Sequence, residues 1–259
     1  MDNIVAKKSL GQNFLKDEQV LQKIANSFET QENDLIIEVG PGKGALTKYL
    51  VLKEGDYLGY EIDTRMIDFL SKYTSRNKKI IYEDYLKQDL SNISSYQHIY
   101  VVANIPYYIT TPIIEHTLHS LPVDGMTLLV QKEVAQRFSA LPGSRDYGYF
   151  TVLLNHFFTI EYLFDVAPAL FDPPPKVMSA VVKLVRKRDI KEVELNSFQS
   201  FLKLMFSQKR KTLKNNLKGY DFQVISSILL KYGYSLQARA EELSYNTILE
   251  LYQKLVLKN

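Results

Sequence analysis

The 259-residue chain contains no cysteine, which excludes disulfides, thiolate metal ligands and a cysteine nucleophile. That absence fits a reducing compartment. Histidine is scarce as well, with four residues, so no metal site is expected. No apolar run approaches the ~20 residues of a membrane span, and the opening MDNIVAKKSLGQNF holds no stretch of signal-peptide length. The expectation is a soluble, cytoplasmic protein without a membrane partner. Net charge is small too, only +3.

What is present is a globular composition. The hydrophobic share of 46% suffices for a core without covalent staples, in one large domain or a main domain with a smaller companion. Charge is unevenly spread. Residues 189–259 carry 11 Lys+Arg against 7 Asp+Glu, a net of +4, while the first 188 residues sum to −1. Ser207 to Lys218 (SQKRKTLKNNLK) holds five positive charges and no acid. Such a run suits a polyanion, RNA among them, or is simply a solvated helix face.

Short β-rich runs alternate with helical patterns through the first two-thirds. Candidate strands are Leu35–Val39, Tyr57–Glu61, Lys79–Tyr82, Ile99–Ala103 and Met126–Val130. This alternation predicts an α/β fold with a mainly parallel sheet. Two later runs, His156–Phe164 and Ala180–Arg186, flank Pro173–Pro175 and read as a closing, hairpin-like pair. Beyond Lys187-Arg188-Asp189 the pattern is helical, as in Ser197–Phe206 and Thr247–Val256, so a domain boundary is placed there. No internal repeat is evident.

Leu35–Val39 runs into Gly40-Pro41-Gly42-Lys43-Gly44, and a helical pattern starts at Ala45. Glycines at such a turn let backbone approach a ligand beside a helix N-terminus. Glu61, at the end of the next strand, can accept hydrogen bonds from both hydroxyls of a ribose. These features satisfy a relaxed NAD fingerprint and do not by themselves separate NAD from S-adenosylmethionine. Asp84 follows the third strand, where it can accept from an adenine amine. Glu38 precedes the turn, and its carboxylate favours a cationic sulfonium over a pyrophosphate; equally, it can anchor the turn's amides.

The fourth strand ends in Asn104-Ile105-Pro106-Tyr107. An adenine amine is a poor nucleophile because its lone pair is delocalised into the ring. Two acceptors aimed at its hydrogens, the Asn104 amide oxygen and the Ile105 carbonyl, favour the tetrahedral geometry that attack on a methyl group requires. Pro106 stiffens the loop, and Tyr107 offers a face on which an unstacked base can lie. Phe171, before the stiff PPP loop, is a second candidate platform; on the residues alone a core role for it is the stronger reading. No strong base is needed for such a transfer, so catalysis rests on positioning and preorganised polar groups.

Together these segments resemble the ribosomal RNA adenine dimethyltransferase family over nearly the whole chain. The matching stretches are Gly11-Gln12-Asn13-Phe14-Leu15, EVGPGKGALT at 38–47, Glu61-Ile62-Asp63, Asn104-Ile105-Pro106-Tyr107, QKEVAQRFSALPGSRDYG at 131–148, FDPPPKVMSAVV at 171–182 and RAEELS at 239–244. The resemblance implies a Rossmann-like class I S-adenosylmethionine-dependent methyltransferase sheet at 1–187 and a small all-helical RNA-binding domain at 188–259. It implies S-adenosylmethionine as cofactor, held by Asn13, Leu15, Gly40, Gly42, Glu61, Ile62, Asp84 and Asn104. Asn104, Ile105, Pro106, Tyr107 and Phe171 would form the catalytic pocket, with Tyr107 and Phe171 sandwiching the adenine. Lys209, Arg210, Lys211, Lys214 and Lys218 would meet RNA phosphates.

The longest stretch and RAEELS are most similar to the bacterial small-subunit branch. That branch implies two adjacent adenosines in a hairpin loop near the 3′ end of 16S rRNA, dimethylated within an immature small subunit by a monomer. The competing branch methylates 23S rRNA and confers macrolide-type resistance. Tyr108 departs from both, since asparagine is common there. A mitochondrial relative is disfavoured by the absence of a transit-like N-terminus. Two other classes stay open on the residues: an oxidoreductase, resting on the glycine pattern alone, and a catalytically silent RNA-binding assembly factor.

Overall fold

A computed structural model describes residue 7 and residues 11–93, 95–104 and 107–257, without the side chains of Asn92 and Tyr107. Its strands are β1 (Phe14–Leu15), β2 (Leu35–Val39), β3 (Asp56–Tyr60), β4 (Lys78–Ile81), β5 (Ile99–Asn104), β6 (Gly125–Gln131), β7 (Phe158–Val166), β8 (Phe171–Asp172) and β9 (Ser179–Arg186). The helices are α1 (Glu18–Ala25), α2 (Thr47–Leu50), α3 (Ile67–Leu70), α4 (Thr110–Ser120), α5 (Lys132–Phe138), α6 (Tyr149–Phe157), α7 (Leu195–Met205), α8 (Leu213–Asn216), α9 (Phe222–Lys231) and α10 (Tyr245–Tyr252).

Two compact units divide the chain: Met1–Ala135 with Thr159–Arg186, and Gln136–Phe158 with Lys187–Asn259. The second unit therefore takes in a segment that the sequence reading left with the first part.

Among the described residues the sheet is seven-stranded, in the order β4-β3-β2-β5-β6-β9-β7. The first five strands of that order pair in parallel, and β9 joins β6 antiparallel. Strand β2 reads LIIEV and is buried throughout, as a strand covered on both faces should be. One core cluster joins Ile36, Tyr57, Val102, Leu129 and Val181 from the sheet to Val20, Leu21, Ile24 and Ala25 of α1 and Leu50 of α2. Helix α1 begins where the Asp17 side chain accepts from the Val20 amide at 2.9 Å, a side-chain N-cap.

The chain runs outward from β2 to β3 and β4, then returns to place β5 on the other side of β2. Ligands bind at the carboxyl ends of strands where the order reverses in this way. The register sets Val39 opposite Ala103 and Tyr60, so Gly40 falls between Asn104 and Glu61.

One element differs from the sequence reading. His156 and Phe157 end helix α6 rather than opening a strand, and β7 starts at Phe158. Helix α6 buries Phe150, Thr151, Val152, Leu153, Leu154, His156 and Phe157, and a helix apolar nearly all round carries no periodicity to tell it from a buried strand. His156 Nδ1 lies 2.7 Å from the Tyr245 hydroxyl within the second unit. In sequence β9 follows β7, yet it sits between β6 and β7 in the sheet.

Ile36 is fully buried, and Ile36→Ala is expected to lower unfolding free energy by about 3 kcal/mol through lost transfer energy and a residual cavity. Leu52, at 81% exposure, serves as the control: Leu52→Ala should change stability by less than about 0.5 kcal/mol in the same urea titration.

Candidate active site

The turn after β2 is shaped by backbone that side chains tolerate poorly. Gly40 and Gly42 have φ of 76° and 57°, in the left-handed region. A Cβ at Gly42 would lie 3.1 Å from the Phe14 ring, so this glycine also lets the N-terminal segment lie against the turn. Glu61 then fastens the turn to the end of β3. Its Oε2 accepts from the Gly42 amide at 2.7 Å and its Oε1 from the Asp63 amide at 2.8 Å. A carboxylate offers about four acceptor positions, which leaves a lone pair on each oxygen for a diol. Burial raises the pKa of Glu61, opposed by the backbone amides of Asp63, Gly42 and Ile62.

A single cavity in the first unit is lined by Asn13, Leu15, Gly40, Gly42, Glu61, Ile62, Asp84, Asn104 and Phe171, so these nine expected residues are brought together. Ile62 is 55% exposed at its wall, an apolar surface suited to the face of a planar ring. Asp84 caps the turn at Tyr85–Lys87, with Oδ1 accepting from the Leu86 amide at 3.1 Å. Asn13 donates to the Gly11 carbonyl at 3.2 Å. Asn104 is the last residue of β5. Ile105, Pro106 and the Tyr107 side chain lie outside the described residues. Phe171 is both core and wall: it is buried in the cluster with Leu15 and Leu21, and it lines the cavity.

Several contributors were not singled out from sequence. The Gln12 amide donates to Asp63 Oδ2 at 3.0 Å, and β1 pairs antiparallel with β8, Leu15 opposite Phe171. Asp63 is buried, and the Arg65 guanidinium, 2.5 Å away, holds its carboxyl well below the usual range, with Gln12 assisting. The segment Gly11–Leu15 is thus clasped at both ends beside the cavity. Gln12 and Asp63 both stand in stretches that carry the family resemblance, which was the available signal. Tyr108 lines the cavity with 65% of its surface exposed.

Glu38 also lines the cavity and is buried. It anchors side-chain hydroxyls rather than the turn's amides: its Oε2 accepts from Thr47 at 2.8 Å and Tyr57 at 2.6 Å. Burial pushes its pKa up to about 7, opposed by those two hydroxyls.

The sequence profile of the family described as "Ribosomal RNA adenine dimethylase" matches residues 3–256. The chain belongs to the ribosomal RNA adenine dimethylase family. Its fold is accordingly the Rossmann-like methyltransferase sheet, and it is an enzyme of ribosomal RNA adenine methylation. Membership removes the oxidoreductase reading, since the glycine turn serves a nucleoside cofactor of either kind. The chain is 40% identical over 255 residues to "Ribosomal RNA small subunit methyltransferase A" of Chlorobium phaeobacteroides (strain BS1), covering 97% of this chain and 94% of that one. Among solved structures it resembles a dimethyladenosine transferase from Plasmodium falciparum, with TM-score 0.79, 26% identity and coverage of 93% and 96%. It also resembles the 23S rRNA methyltransferase ErmE, with TM-score 0.70, 26% identity and coverage of 94% and 99%.

The raised pKa of Glu38 makes a pH test possible. The folded state holds this proton more tightly than the unfolded chain, so the contribution is fully present below about pH 4.5 and is lost as pH rises towards 7. Urea titrations of ligand-free protein should show Glu38→Gln gaining on the unaltered chain between pH 4.5 and 7, by on the order of 3 kcal/mol. A pH-independent difference would mean that Glu38 is ionised throughout.

Proposed function

We propose that the chain uses S-adenosylmethionine to dimethylate the N6 amines of two adjacent adenosines in a hairpin loop near the 3′ end of 16S rRNA. It acts as a cytoplasmic monomer on an immature small ribosomal subunit. One observation carries the reading: the Asn104 end of β5 opens into the same cavity as Glu61 and Asp84. An amide oxygen able to orient an adenine amine thus stands beside acceptors suited to a ribose and a purine.

The cavity fits a sulfonium nucleoside. Glu61 keeps lone pairs for two ribose hydroxyls, Asp84 keeps an oxygen for an amine, and Ile62 gives an apolar face. The bound cofactor supplies an electrophilic methyl group on a positively charged sulfur. The protein's residues do the rest. Glu38, buried and close to neutrality in pKa, ionises at little cost beside a cation and is disfavoured beside a pyrophosphate. Asn104 and the Ile105 carbonyl accept from the amine hydrogens, so that the nitrogen lone pair localises toward the methyl group. Tyr107 and Phe171 hold the base by stacking, and Tyr108 adds an aromatic surface at the same opening. No group need take a proton before transfer, because the ammonium formed loses it afterwards.

RNA grip belongs to the second unit. Lys209, Arg210, Lys211, Lys214 and Lys218 are exposed there, on a turn and the short helix α8 rather than along a helix face. Two of the five have partners within the unit. Lys209 Nζ donates to the Arg145 carbonyl at 3.3 Å, and Lys214 Nζ lies 4.2 Å from the Phe222 ring centroid. The small-subunit target is favoured over 23S rRNA because a small-subunit relative shares 40% of residues, against 26% for ErmE.

Asn104→Ala should reduce methyl transfer at least a hundredfold, the scale of losing an oriented polar group in a reacting site, with cofactor affinity changed much less. Radiolabel transfer and calorimetry check the two halves, and an unimpaired Asn104→Ala enzyme would overturn the role. Mapping of dimethyladenosine on both ribosomal RNAs tests the target; label confined to 23S rRNA would reverse the choice. Alanine at Lys209, Arg210 and Lys211 together should flatten the salt dependence of RNA binding by about two log units per log unit of salt. An unchanged slope would exclude this run from the RNA surface.

A further inference from the structure

In the second unit, the backbone at 238–243, which overlaps RAEELS at 239–244, acts as a mounting strip. The Leu213 amide donates to the Ala238 carbonyl at 2.9 Å, and the Gly143 amide to the Glu241 carbonyl at 2.7 Å. The Tyr147 hydroxyl donates to the Leu243 carbonyl at 3.1 Å. The basic segment and the loop at 141–147 are therefore fixed to one stretch of backbone. Lys209 bridges them directly through its bond to the Arg145 carbonyl.

The loop is built to hold its shape. Ser144 donates to the Leu141 carbonyl from its amide at 3.1 Å and its hydroxyl at 2.7 Å, and the Tyr147 amide donates to the Ser144 carbonyl at 3.2 Å. The cationic turn is held as well: buried Asn216 donates to the Met205 carbonyl at 2.6 Å and to the Gln208 carbonyl at 3.3 Å. Arg145 is exposed and Leu141 stands 74% exposed on the fixed loop. A single exposed leucine is unremarkable in itself. This one sits on a pinned loop that also carries Arg145 and is bridged to the 209–211 turn. Acids are near, but Glu241 lies 3.9 Å from Arg239 and Glu242 accepts from the Arg239 amide at 3.3 Å; Asp146 is exposed.

We infer that the loop at 141–146 and the turn at 209–211 form one preorganised RNA-binding surface, in which Arg145 meets phosphate and Leu141 packs against the sugar and base faces of the same RNA. The inference rests on the proposed RNA substrate and adds residues outside the basic run. Both segments are ordered before contact, so less is lost in ordering them on binding. The two side chains should leave different marks. A phosphate contact is salt-dependent and an apolar one is not.

The test is filter binding of the full chain to in vitro transcribed 16S rRNA and to small subunits lacking the modification, over a salt series, with melting temperature and cofactor affinity recorded. Arg145→Ala should lower the slope of log affinity against log salt by about 0.7–0.9; Arg145→Lys should retain it and Arg145→Glu should lower affinity further. Leu141→Ala should weaken binding about fivefold with the slope unchanged, consistent with a modest contact at an interface. Variants that bind both substrates like the unaltered protein overturn the inference while leaving the enzyme reading intact. Loss confined to the ribosomal particle overturns the RNA assignment in favour of a ribosomal protein. Failure of the unaltered protein to bind or methylate either substrate counts instead against the proposed function.

Discussion

The Glu61 carboxylate accepts the Gly42 amide on one oxygen and the Asp63 amide on the other, and the rest of the site is arranged around these two bonds. They lock the left-handed turn after β2 to the end of β3. Asp63, held ionised by Arg65, carries the tie onward to Gln12 and so to the N-terminal segment. From there β1 pairs with β8 and reaches Phe171. A buried carboxylate satisfied by backbone donors is costly to rearrange, because breaking either bond strands a polar group away from water. The cavity wall is therefore stiff where a nucleoside would be held.

Glu38 supplies the complementary feature. A carboxyl with a pKa near neutrality under a mostly apolar cavity stores an unfavourable ionised state that a bound cation relieves. The same fold could hold a dinucleotide at the same switch point, and in the proposed reading the Glu38 carboxyl at the cavity favours a sulfonium over a pyrophosphate. In the proposed reading RNA affinity is handled elsewhere, in the second compact unit, by cations and an exposed loop mounted on the backbone of 238–243. Chemistry depends on placing atoms within tenths of an ångström, whereas phosphate contact tolerates a spread of distances, so the two tasks make different demands on packing.

Much of the sheet was legible because its strands are short, apolar and punctuated by turns. Leu35–Val39 is observed as read, and the next four strands agree within a residue or so at their ends. His156 and Phe157, the end of helix α6, were read as strand because a helix apolar nearly all round carries no clear period. The β1–β8 ladder was invisible: two residues on each side, far apart in sequence, leave no pattern. Gly40, Glu61, Asp84 and Asn104 could be singled out because each stands at a strand end or in the glycine turn, and such positions follow from chain order; Asn13 came only from the family resemblance. Gln12 and Asp63 stood in the quoted motifs without a role, since a side-chain clasp between them needs their distance.

By itself the sequence determined the order of strands and turns, the absence of cysteine chemistry, and which acids and which asparagine fall at the carboxyl ends of strands, because periodicity and glycine placement are local properties. Only the tertiary structure decided that β9 sits between β6 and β7, that Glu38 bonds hydroxyls rather than amides, and that the backbone at 238–243 is a mount. Those outcomes depend on which atoms meet across long separations, and on how far each is removed from water, quantities that no local pattern encodes.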